Sequence, residues 1–169
     1  MINVAEEVAH LTSLHDELIH RHGGAEGGPK ANCVESAIGT AEQSAGYFED
    51  ESGENVLAMP AFALVYLARN QCYTDGNKRV AWAAFTRLLG RYNLSIEVSD
   101  EEATTFVLRL AEDRETDPQE HVRRVILWAS EKLISIEVPA VSLPAVGADH
   151  SVHLSNPLTP PEAHATDSA

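Results

Sequence analysis

The chain has 169 residues, the length of one ordinary domain and enough to bury a hydrophobic core. Its formal net charge of −14 argues against nucleic acid or an anionic membrane surface as a partner, since both call for a basic face. No apolar run approaches the roughly 18 residues of a membrane span, and the opening MINVAEEVAHL lacks the basic region and apolar block of a signal peptide.

A cytoplasmic protein is therefore expected. Cys33 and Cys72, the two cysteines of the chain, make no disulfide framework and no metal-site spacing, and they read as isolated thiols of a reducing cytosol.

Taken in chain order, Asn3 with Glu6 resembles a capping box, and Val4, Val8, Leu11, Leu14 and Leu18 recur behind it at helical spacing. His10, His15, His20 and His22 crowd this helix without repeating a metal-ligand pattern, so they are expected to be partly exposed helical histidines. Gly23 and Gly24 stop the helix. The loop GGAEGGPK follows, and without a GK[ST] ending or a preceding apolar strand it is a connector rather than a phosphate-binding P-loop. Pro29 can open a second helix with Val34, Ala37, Ile38, Ala41 and Ala45 on its apolar face.

Acidic residues and Gly from Glu49 to Glu54 make a loop. The next segment, Val56 to Arg69, is apolar on nearly all sides and belongs in a core, with a helix that begins or kinks near Pro60. After a break at Asp75-Gly76, a fourth helix runs through Val80, Trp82, Ala84, Phe85, Leu88 and Leu89 to Gly90. RYNLSIEV reads as a short extended connection. Ser99 with Glu102 forms a second capping box, opening a helix with Phe106, Val107 and Leu110, and Asp117-Pro118 starts a last helix through Val122, Val125, Ile126, Ala129 and Leu133.

The expected fold is all-α, a compact bundle of about six helices over 1–134, with no convincing strand pair. Residues 135–169 change character, with five prolines from Pro139 to Pro161, no Lys or Arg and no sustained periodicity. Such a segment buries too little apolar area to offset its ordering entropy, so a disordered Pro-rich tail is expected, with room for a short docking piece.

The chemistry concentrates in NQCYTDGNKRVAW, Asn70 to Trp82. Free N–H groups at a helix start attract anions. Gly76 permits close approach, Asn77 can donate side-chain hydrogen bonds, Lys78 adds a point charge and Arg79 a planar clamp for phosphate. Asp75 would repel bare phosphate, and makes sense if it holds a divalent cation such as Mg²⁺ against a nucleotide di- or triphosphate. The same residues also read as an Asp-Gly turn, an Asn cap and a solvated basic face. Residue types alone leave both readings open.

The stretch resembles the signature of the Fic/Doc (Fido) superfamily, H-x-F-x-D/N-G/A-N-K/R-R, and is most similar to its death-on-curing (Doc) branch. The resemblance extends through LTSLHDELIHRHGG, VESAIGTAEQSAGYF and ARNQCYTDGNKRVAWAAFTRLLGRYNLSIEVSDEEA, covering most of residues 8 to 133. It implies a helical bundle presenting the loop before a central helix as the active site, with ATP and Mg²⁺ as cofactors. Fic members mostly transfer AMP to a hydroxyl of a target protein. Doc phosphorylates a translation elongation factor and is the toxin of a toxin–antitoxin pair, neutralised by a small antitoxin. By resemblance Asp75 binds the metal, Gly76 and Asn77 form the anion hole, and Lys78 and Arg79 engage the phosphates. Tyr73 stands for the family's Phe and packs loop against core. Gly76 stands where Doc tends to have Ala, which leaves AMP and phosphate transfer both open.

The family's His falls at Gln71. That His is the general base, and an imidazole serves near neutral pH because its pKa lies close by. A carboxamide accepts no proton there, and loss of a general base costs about 10²–10⁴ in rate, roughly 3–5 kcal/mol of barrier. Cys72 is adjacent but should project differently. The expectation is a Doc-like toxin-family protein with weakened catalysis, or alternatively a catalytically inactive Fido pseudoenzyme that still binds nucleotide or a partner.

Overall fold

A computed structural model describes residues 2–50 and 53–136. The expected tail lies outside the described residues, apart from Ser135 and Ile136. Six helices carry the described fold: α1 (Val4–His22), α2 (Cys33–Gly46), α3 (Ala58–Arg69), α4 (Asn77–Gly90), α5 (Asp100–Glu112) and α6 (Pro118–Ser130). The domain is all-α in character, as the periodicity predicts.

The expected caps form. Asn3 Oδ1 accepts from the Glu6 amide at 3.3 Å, Ser99 Oγ from Glu102 at 3.2 Å, and Asp117 Oδ1 from Gln119 at 2.7 Å. Each satisfies one of the amides that a helix start leaves without an internal partner. Pro60 falls within the first turn of α3, where its missing N–H costs nothing, so the helix begins beside it and does not kink.

α3 is the centre of the core. Only Tyr66 and Arg69 of its residues are not buried, and it packs against α2, α4, α5 and α6. α1 lies across α2 and α4. This places the loop between α3 and α4 beside the carboxyl end of α1.

Three expectations need correction. Strand pairs do exist: Leu94–Ile96 (β3) pairs antiparallel with Leu133–Ser135 (β4), and Glu49–Asp50 (β1) with Gly53–Glu54 (β2). Strands of two or three residues are too short to show an alternating pattern. The second helix opens at Cys33 rather than Pro29. Between them the Lys30 amide bonds the Cys72 carbonyl at 2.8 Å, and Asn32 turns the chain at φ 58°. Finally, the two cysteines are not free thiols. Cys33 and Cys72 are joined in a disulfide across a sequence separation of 39, because the start of α2 packs beside the α3–α4 loop. Sequence spacing gave no hint of that proximity.

Candidate active site

The α3–α4 loop is held from three directions. Asn77 turns its side chain back on the loop: its Oδ1 accepts from the Tyr73 amide and its Nδ2 donates to the Tyr73 carbonyl, both at 2.8 Å. One Nδ2 hydrogen remains for other use. From α1, the His15 ring stacks on Tyr73 with centroids 4.0 Å apart and planes 9° apart. Its Nε2–H donates to the Asp75 carbonyl at 3.1 Å, a direction fixed because a carbonyl only accepts. From α2, the disulfide fixes Cys72.

His15 is thus buried, against the expectation of a partly exposed residue. A signal was present, since Leu11, His15 and Ile19 are four apart and all three are buried on one helix face. Tyr73 is buried as the expected anchor, and burial pushes its phenol up from the ordinary value.

Gly76 caps α4 in the left-handed region, φ 77°. The first amide to close the helix ladder is that of Val80, on the Gly76 carbonyl at 3.0 Å, leaving the amides of Asn77, Lys78 and Arg79 as orphan donors of the first turn. Asp75 accepts from the Gly76 amide and, at 3.3 Å, from the Ala25 amide, with Arg79 Nη2 at 3.6 Å. The Gly76 and Ala25 amides, followed by the Arg79 guanidinium, hold its carboxyl below the usual value. Arg79 also donates through Nη1 to the Gly23 carbonyl at 2.8 Å.

Gly24, read from sequence as a simple stop, lies against this group. A Cβ there would stand 2.6 Å from Asp75 Oδ2 and 3.1 Å from Arg79 Nη2, in a backbone of φ +136°. Sequence reasoning missed it because two glycines after a helix already have a sufficient reason in the C-cap.

These residues open onto a hollow of about 1140 Å³. Gln71, Asp75, Gly76, Asn77, Lys78 and Arg79 all border it. Lys78 is exposed and makes no ion pair among the described residues. Gln71 is exposed, whereas Cys72 points into the core and its sulfur is bonded. α5 contributes Ala103, Thr104 and Val107 to the lining.

The donor set fits the expected groups. Asp75 is one partly exposed, ionised carboxylate, and Mg²⁺ commonly takes one or two carboxylates while phosphate oxygens and water complete its shell. The orphan amides and two cations suit polyphosphate. Comparison with curated proteins returns no match. A family profile described as the Fic/DOC family matches residues 6–89, which span α1 through nearly all of α4, and the chain belongs to that family.

Proposed function

We propose that the chain is a Doc-type Fido protein that binds Mg²⁺ and ATP, or another nucleoside triphosphate, in this hollow and transfers phosphate or AMP to a hydroxyl of a target protein. The role that goes with it is that of a toxin restrained by a small antitoxin, with a translation factor as the class of target. The supporting observation is the convergence of the free α4 amides, Lys78, Arg79 and Asp75 on one hollow large enough for a nucleotide. Gly76 presents the amides, Asn77 and His15 keep the loop in register, and Lys78 is the exposed cation.

Mg²⁺, when bound at Asp75, would supply neutralisation of phosphate charge. Gly76, Asn77, Lys78 and Arg79 would bind and position the nucleotide. A cytoplasmic place of action suits a translation-factor target, while the Cys33–Cys72 disulfide departs from the free thiols usual in that compartment.

A second reading, a nucleotide-binding pseudoenzyme, draws on Gln71, which stands at the hollow where the family's base is expected. Calorimetry with MgATP tests the shared core of both readings. Binding is expected, and Lys78→Ala is expected to weaken it by about tenfold or more, the loss of a charge-assisted contact. No heat at millimolar nucleotide would remove both.

A further inference from the structure

We propose that His22, the last residue of α1, is the proton acceptor for transfer in the place that Gln71 leaves vacant. The inference rests on the transferase reading above and on where the bundle puts an imidazole that the motif does not contain. His22 borders the same hollow as Gln71, Asp75 and Lys78. It is exposed and engaged in no side-chain hydrogen bond or ion pair among the described residues, so both ring nitrogens are open. His15 and His121, by contrast, are buried and bonded to backbone carbonyls.

The backbone around His22 is anchored at the phosphate end. Arg79 grips the carbonyl of Gly23, the next residue, at 2.8 Å. Gly24 approaches the Asp75 carboxylate so closely that a Cβ would touch it. His22 is two residues away, a chain path of about 7–8 Å, within reach of an imidazole turned into the hollow.

The other titratable groups bordering the hollow are poorer acceptors. Lys78, Arg79 and Arg114 are cations. Asp75 is stabilised as the anion by the Gly76 and Ala25 amides, which makes it a weak base. Asp100 and Glu112 are exposed carboxylates at the two ends of α5. An imidazole matches near-neutral proton transfer better than any of these.

In the step, the oxygen of the target hydroxyl bonds to phosphorus of the nucleotide. Its proton passes to a ring nitrogen of His22, and the bond from phosphorus to the bridging oxygen breaks. ADP or pyrophosphate leaves with that electron pair. His22 then returns the proton to solvent, and no atom changes oxidation state.

The test uses the full chain, MgATP labelled at the α or γ phosphate, and proteins of a bacterial extract as acceptors. The parent is expected to transfer label at a rate that rises with pH to a plateau. His22→Gln is expected to lower the rate by about 10²–10⁴ and remove the rise, with MgATP affinity retained by calorimetry. Adding Gln71→His to His22→Gln is expected to restore transfer. An unchanged rate and pH profile in His22→Gln would overturn the proposal, as would a parent that binds MgATP without transfer while Gln71→His transfers. Absence of MgATP binding in the parent would instead sink the nucleotide-site reading itself.

Discussion

At the scale of single residues, Gly76 carries two constraints at once. Its backbone sits at φ +77°, and a Cβ would stand 3.2 Å from Ile19 Cδ1 and 3.3 Å from His15 Cδ2. Gly76→Ala is expected to cost about 1–2 kcal/mol of stability by chemical denaturation, from the left-handed backbone alone. Asp75 predicts a pH effect. Its folded pKa is depressed, so its contribution is fully present above the unfolded carboxylate range near pH 4 and is lost as pH falls through the lower folded value. Asp75→Asn is expected to flatten the acid limb of stability against pH below about 4, and an unchanged limb would show that the two amide bonds add nothing. The motif residues were legible because each has a distinctive chemistry. His15 was legible only through its place on the Leu11–Ile19 face, and Gly24 not at all, since its reason is a neighbour 51 positions away.

At the scale of elements, the caps made boundaries legible: Asn3, Ser99 and Asp117 all bond where their spacing places them. Pairings between distant short segments left no trace, because a three-residue ladder such as β3 with β4 is set by where α4 and α6 end and not by alternation. The disulfide is the same kind of fact, two side chains 39 residues apart joined by helix packing. It ties the start of α2 to the residue beside Gln71. Reduction, or replacement of both cysteines by Ser, is expected to lower stability by about 2–4 kcal/mol, read as the shift between denaturation curves with and without a thiol reductant. Coincident curves would mean that the bridge does not constrain the unfolded chain.

At the scale of the molecule, α1 is fastened to α4 at both ends. The buried carboxylate of Glu7 meets Arg87 Nε at 3.1 Å and Arg91 Nη2 at 2.7 Å, while His15 and Arg79 join the helices near the hollow. Replacing both Arg87 and Arg91 by Ala strands a buried charge, and a loss of about 3 kcal/mol is expected from thermal or urea unfolding. The sequence motif describes one wall of the hollow. A further part of the lining comes from α5, whose apolar residues carry no sign of chemistry until the bundle is closed.

Trp82 borders the hollow from α4, and its ring lies 6.2 Å from Trp128, the second of the two tryptophans of the chain. The protein thereby contains its own optical gauge. An occupant that displaces water from the indole edge alters the colour and yield of its emission, and Trp128→Phe would leave a single emitter. Filling could then be followed by light alone, and a ligand settling elsewhere on the surface would leave the spectrum still.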